Sequence, residues 1–342
     1  RIEAMGIKFG LWFEPEMTNK DSDLYRAHPD WILHTPGRNA SHGRYQYVLD
    51  FSRKEVVEYI YEMMAKILSE AKVSYIKWDM NRSITECYSM ALPADRQGEV
   101  FHRYILGVYD LYERLTSEFP EVLFESCSSG GGRFDPGMLY YAPQGWTSDD
   151  SDAIERLKIQ YGTSLCYPIS SMGSHVSVIP NHQVFRKTPL HTRANVAYFG
   201  TFGYELDLNS LKEEEIAEVK EQIIFMKKYR KLFQFGDFYR LKSPFEGNET
   251  IWMVVSEDKK TAIVGYYRTL NGVNQAYSRI KLQGLDPDML YENILNKTEN
   301  YGDELMNFGL ITTDVTAGEV PGDATPCTDF ESRIYILKAK EK

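Results

Sequence analysis

What most constrains the fold of this chain is an alternation. Between Ile7 and Phe235, short runs of β-forming residues take turns with stretches of helical periodicity. The β runs fall near residues 8, 75, 122, 145, 168 and 203, and nearly every one ends in acids, Cys-Ser or His. Strands separated by helices pair in parallel through crossover connections. A doubly wound sheet gathers its ligand groups at one crevice, whereas a (β/α)8 TIM barrel carries them on the C-terminal ends of its strands. Six polar-ended strands therefore predict an α/β fold of the barrel kind, over residues 1–236, holding barrel strands 3–8. The chain opens at Arg1 in what reads as the tail of a helix, so the first two βα units are expected ahead of it. After Gly236 the pattern becomes short alternating runs, at Phe238–Leu241, Thr250–Ser256, Thr261–Tyr267, Ser278–Leu282 and Ser332–Leu337. No helix of note is expected there, and residues 237–342 read as a small antiparallel β-sandwich domain.

Within the first part, Ser52-Arg53-Lys54-Glu55 and Ser210-Leu211-Lys212-Glu213 read as capping boxes. Behind the first, Val56, Val57, Ile60, Met63, Met64, Ile67 and Leu68 are expected to face the core. Behind the second, Ile216, Val219, Ile223, Ile224 and Met226 are. Cys166–Ser171 reads as a strand and Met172–His175 as the loop after it. Asp150 or Ser151 is expected to cap a helix over Ala153–Tyr161.

Tyr75-Ile76-Lys77-Trp78-Asp79-Met80-Asn81-Arg82 is the stretch richest in chemistry. Alternation puts Lys77, Asp79 and Asn81 on one face and Trp78 and Met80 on the other. A carboxylate flanked by an ammonium and an amide should stay ionised. Ile7–Phe13 is a second buried strand, ending in Glu14-Pro15-Glu16, and residues 29–50 form a loop with Arg44 near its end. Gln144–Asp152 is a further strand end with three acids, of which Asp149 comes first. Asp79 and Asp149 are 70 residues apart, about two barrel units of roughly 30 residues each. Residues from alternate strands share a barrel layer, so the two acids can face one another. Paired carboxylates are the machinery of glycoside hydrolysis. Asp150 and Asp152 compete with Asp149 for the second role.

Other chemistries find little support. The formal charge of −10 argues against a nucleic-acid partner. The glycine run after Cys127 lacks both phosphate-loop spacings and is read instead as letting backbone approach a ligand or a neighbouring strand. No apolar run is long enough to span a membrane. Cys87, Cys127, Cys166 and Cys327 form no CxxC pair, and His175 and His182 match no zinc pattern, so neither a zinc site nor a disulfide framework is indicated. Reduced thiols fit a cytoplasmic protein.

Four motifs now stand in order: Gly10-Leu11-Trp12-Phe13-Glu14-Pro15-Glu16-Met17, Lys77-Trp78-Asp79-Met80-Asn81, Glu125-Ser126-Cys127 with its glycines, and Trp146-Thr147-Ser148-Asp149-Asp150. Through them the chain resembles, over essentially its whole length, the microbial α-galactosidases of glycoside hydrolase family 36. The resemblance implies retaining hydrolysis of melibiose- or raffinose-type α-galactosides through a covalent galactosyl-enzyme, with Asp79 as nucleophile and Asp149 as acid/base. It implies a galactose pocket made by Trp12, Arg44, Lys77, Trp78, Asn81, Cys127 and Trp146. Lys77 is expected to lower the pKa of Asp79, and burial or the charges of Asp79 and Asp150 to raise that of Asp149. The resemblance also implies a homo-oligomer, commonly a tetramer, and no metal or organic cofactor. Family members carry an N-terminal β domain and two barrel units ahead of the Gly10-Leu11-Trp12 strand. The alternatives are an α-N-acetylgalactosaminidase or galactosyl transferase on the same scaffold, or a sugar-binding fragment without activity.

Overall fold

The computed structural model describes residues 1–273, 278–312 and 329–340. They form two compact units, Arg1–Asp149 and Asp150–Lys342. In the first, β1 (Phe9–Phe13) leads into a hairpin of β2 (Met17–Asn19) and β3 (Gln46–Val48), with the short α1 (Asp23–Ala27) between them. Then come α2 (Lys54–Glu70), β4 (Val73–Trp78), α3 (Val100–Glu118), β5 (Leu123–Ser126), α4 (Pro136–Tyr141) and β6 (Gln144–Gly145). The strands β1, β4, β5 and β6 lie side by side in that order, all parallel. This is the pairing the strand–helix alternation requires.

The core of this unit lies between the sheet and α2 and α3. Val56, Val57, Ile60, Met64 and Leu68 of α2 and Tyr104, Val108, Leu111, Tyr112 and Leu115 of α3 enclose Ile76, Trp78 and Phe124. Met63 and Ile67 are instead exposed, because they flank the buried stripe. The first capping box does not form. Arg53 is the N-cap, and the Ser52 hydroxyl is taken by the buried Asp50 carboxylate at 2.5 Å.

The second unit continues with α5 (Ala153–Thr163), β7 (Gly173–Ser177), α6 (Leu190–Ala197), β8 (Thr201–Glu205) and α7 (Glu213–Phe235). β7 and β8 are parallel. The strand expected at Cys166–Ser171 is displaced: Pro168 is followed by a single 3-10 turn at Ile169–Ser171, and the strand is β7. Proline carries no N–H for a ladder, which moves the start of pairing past it. The second capping interaction is shifted as well, with the Lys212 amide donating to Glu215 at 2.9 Å. On α7 the buried positions are Val219, Gln222, Met226, Tyr229 and Phe233, a strict 3-4 spacing that leaves Ile216 and Ile224 exposed.

The remainder is β9 (Asp237–Lys242), β10 (Glu249–Val255), β11 (Thr261–Arg268), β12 (Arg279–Ile280), β13 (Leu290–Asn293), β14 (Glu299–Tyr301), α8 (Gly302–Asn307), β15 (Leu310–Ile311) and β16 (Glu331–Ala339). Six of these strands make one antiparallel sheet, in the order β14-β13-β16-β11-β10-β9, while β12 pairs with β15. Both sheets feed one core, where Ile280, Leu282 and Leu310 meet Met253, Val264 and Tyr335. The helix α8 is the one departure from the all-β expectation among the described residues. Thr192 and Asn195 of α6 bond Phe330 O and the Ser332 hydroxyl at 2.8 and 2.9 Å. The boundary expected at 236/237 therefore falls inside this unit.

Candidate active site

Three parallel strands deliver their side chains to one edge. The β ladder runs one bond past each strand end: Asp79 N donates to Phe13 O at 2.9 Å, Cys127 N to Trp78 O and Trp146 N to Ser126 O, both at 2.8 Å. Asp79, Cys127 and Trp146 are thus the first residues beyond β4, β5 and β6. Trp78 and Met80 point the other way, into the core, as the alternation requires.

Asp79 is 7% exposed. Burial alone would raise its pKa. The Cys127 thiol, the Asn81 amide, the Trp12 indole and the Met80 amide all donate to it and outweigh burial, so the carboxyl is held below its ordinary value. Asn81 Nδ2 and Trp12 Nε1 reach Oδ2 at 2.6 and 3.3 Å, and Met80 N reaches Oδ1 at 2.8 Å. The thiol remains a donor because burial, then the Asp79 charge, push the Cys127 pKa up to about 12. Lys77 turns to the neighbouring strands. Its ammonium pairs with Glu125, the residue opposite it in the β4–β5 register, at 3.2 Å and lies 4.4 Å above the Trp146 ring. Gln144 donates to the same Glu125 carboxylate at 3.1 Å.

Two glutamates after β1 brace this edge. Glu14 accepts from Asn81 Nδ2 at 2.8 Å and Gln46 Nε2 at 2.7 Å, with Arg44 Nη1 at 3.5 Å. Glu16 is wholly buried. It takes both Arg133 guanidinium nitrogens at 2.8 and 2.9 Å, Trp78 Nε1 at 2.8 Å and the Tyr104 hydroxyl at 2.5 Å. Trp78 therefore cannot touch a sugar. It is 0% exposed, stacked on Tyr112 at 4.0 Å and bonded to Glu16, so it supports Asp79 from behind.

Asp149 lies three residues past Trp146, beyond the next-but-one strand from Asp79. The glycine loop holds its backbone. A Cβ on Gly130, whose φ is +83°, would meet Ser148 Cα at 2.7 Å and Asp149 N at 2.8 Å. The close approach read from the glycine run is thus made to the segment carrying the second acid. From the other side, Ser129 Oγ reaches Asn81 Oδ1 at 3.3 Å, tying the same loop to the Asp79 cluster. Asp149 itself is exposed, so the described residues do not supply the burial expected around it.

The competing acids have other work. Asp152, not Asp150 or Ser151, caps α5: its Oδ2 accepts from Ile154 N and Glu155 N at 3.1 Å, and Arg186 pairs with it. Asp150 accepts from Asp152 N at 3.1 Å. Glu125 and Glu16 stand within the sequence motifs and Arg133 just after one, but their bracing roles are not written in the local sequence. The Lys77–Glu125 pairing follows from register, but nothing local links Glu16 to Arg133, 117 positions away. Among the described residues no group of three or more His, Cys, Asp or Glu is placed to hold a metal, and no helix is long and apolar enough to cross a membrane. The thiols of Cys87, Cys127 and Cys166 are free, and Cys327 lies outside the described residues.

Comparison with known proteins gives the geometry its context. Residues 1–236 match the family model Melibiase, and residues 249–337 match the glycosyl hydrolase family 36 C-terminal domain. The chain is 56% identical to α-galactosidase AgaA of Geobacillus stearothermophilus, over 100% of this chain and 45% of that protein. It is 49% identical to α-galactosidase Mel36A of Lactobacillus acidophilus, over 99% of this chain and 44% of that one. It thus spans less than half the length of these relatives. The crystal structure of AgaA superposes with a TM-score of 0.93 at 52% identity, covering 99% of this chain and 46% of the other, and AgaA variants have been solved with raffinose and with stachyose. A maltogenic α-amylase of Thermotoga neapolitana, AmyB, is 13% identical with a TM-score of 0.57, over 87% of this chain and 73% of that one, and shares the fold alone. The fold class is that of these relatives: TIM-barrel strand–helix units followed by a small antiparallel β domain. With two family models covering its two parts in order, the chain belongs to the melibiases of glycoside hydrolase family 36.

Proposed function

We propose that the chain carries the two catalytic carboxylates of a retaining α-galactosidase acting on raffinose-type oligosaccharides. One observation carries the reading: a buried Asp79 kept ionised by four donors at a strand end, with Asp149 beyond the next-but-one strand of the same sheet. Neighbouring strands lie roughly 4.8 Å apart, so these two strand axes are about 10 Å apart. A retaining pair requires the two side chains to converge from there to ~5–5.5 Å. Asp79 attacks the anomeric carbon as Asp149 gives its proton to the departing oxygen. Asp149 then takes a proton from water, which breaks the galactosyl ester. Lys77, Asn81, Arg44 and Trp12 offer hydroxyl partners and an apolar wall for galactose. The named activities of AgaA and Mel36A support the same reading. The homo-oligomer and the cytoplasmic setting belong to this proposal too.

The test is to trap the intermediate with a 2-deoxy-2-fluoro-α-galactosyl fluoride and map the labelled peptide. Label on Asp79, lost in Asp79→Asn, is the expected result. Asp149→Asn should slow substrates with poor leaving groups far more than those with good ones. Label on any other residue, or equal slowing of both substrates, would sink the assignment.

A further inference from the structure

Gly43 and Gln46 exchange both backbone hydrogen bonds, at 3.2 and 2.8 Å, so Arg44 and Tyr45 form a two-residue hairpin turn. Both have positive φ, 53° and 61°. That is the geometry in which Asn-Gly is preferred, and bulky side chains held there cost stability. An arginine and a tyrosine stand where neither fits the backbone well, and strain of this kind gathers where a side chain has a task.

The task of Arg44 is visible. Its guanidinium turns to Glu14, which holds Asn81, which holds Asp79. Tyr45, one residue on, faces elsewhere. The residue is 78% exposed, and its ring stacks on His42 with centroids 5.7 Å apart and planes 15° from parallel. The two rings form one wall of an open cup of about 550 Å³ whose other sides include Tyr47, Asn19, Asp21 and Arg26. Asn19 fixes the wall by bonding Tyr45 O at 3.1 Å. An exposed aromatic face beside hydrogen-bonding side chains suits a sugar ring, which is apolar on its C–H faces and polar around its rim.

We propose that Tyr45, backed by His42, is a stacking platform for the sugar on the leaving-group side of an α-galactoside, so that one strained turn serves two adjacent subsites. The inference rests on the α-galactosidase reading and adds where the second sugar unit lies. It makes stability and recognition move in opposite directions. Tyr45→Gly relieves the backbone and should raise Tm by about 2 °C.

Titrations of galactose and of raffinose, run in an Asp79→Asn background to prevent turnover, test it. Raffinose should bind about five-fold more tightly than galactose, and Tyr45→Gly should bring that ratio close to one. Tyr45→Phe should keep it. An unchanged ratio in Tyr45→Gly, or a ratio of one before any change at Tyr45, overturns the platform and leaves the α-galactosidase reading standing. Failure of galactose to bind at all removes that reading and the platform with it.

Discussion

At Asp79 two opposed effects are resolved by hydrogen bonds. Taking a carboxylate out of water favours its neutral form, and a neutral acid is no nucleophile. Donation from Cys127, Asn81, Trp12 and the Met80 amide reverses the balance. A hydrogen bond to a charged group contributes about 1.5–3 kcal/mol, and one pKa unit corresponds to about 1.4 kcal/mol. Loss of one donor should therefore raise the Asp79 pKa. Asp79 must be ionised to serve as the proposed nucleophile, so the acid limb of kcat/KM should move to higher pH in Cys127→Ala and in Asn81→Ala. A limb that stays in place in both variants would refute the hydrogen-bond account. Glu16 poses a different question. Its removal leaves the Arg133 guanidinium buried without its counter-charge, which costs about 3–5 kcal/mol. Urea denaturation should show that loss in Glu16→Ala. Glu16→Met with Arg133→Met should recover most of it, because an apolar pair leaves no charge unpaired. Equal losses in the single and double variants would mean that Glu16 acts by packing alone.

Among the elements, the glycine loop is the sharpest constraint. Gly130 combines a left-handed φ with backbone of Ser148 and Asp149 less than 3 Å from any added Cβ. Gly130→Ala must push that segment aside, and a misplacement of about 1 Å at a reacting group costs about 10²-fold in rate. The expected result is a kcat lower by about that factor with KM little changed. A variant with wild-type kcat would show that the loop does not position Asp149. The need for close backbone approach was legible in three adjacent glycines, but their partner was not, because Thr147–Asp149 comes next to them only once β5 and β6 pair. Helix registers show the same limit. The helical period was plain on α7, yet two of its isoleucines lie off the buried stripe, since periodicity alone cannot say how wide the covered face is. Motif order and strand polarity, set by neighbouring residues, were readable. Ion pairs such as Lys77–Glu125 and Glu16–Arg133 had to wait for the sheet.

On the scale of the whole molecule, the sequence divides where strand–helix alternation gives way to alternating short strands, and the two family models divide close to the same place. Compactness divides differently, because α6 is bonded to a strand more than 130 positions further on. Glu331, at the start of β16, sits at that junction. Burial works to raise its pKa, but the His191 ring on α6, Arg333 and the Ser332 amide lower it to about 2, against an ordinary value of 4.5. A carboxyl with a depressed folded-state pKa adds stability that is complete above its unfolded value and disappears as pH falls through the folded one. The contribution of Glu331 should thus be full at pH 7, begin to decline below about pH 4.5 and vanish near pH 2. Other depressed carboxylates titrate in the same window, so the useful quantity is the difference between wild type and Glu331→Gln. Denaturation midpoints measured from pH 7 down to pH 2.5 should show the variant less stable at neutral pH and converging with wild type in acid. A gap that persists unchanged at pH 2.5 would mean that the side chain holds α6 to β16 through shape and not through charge.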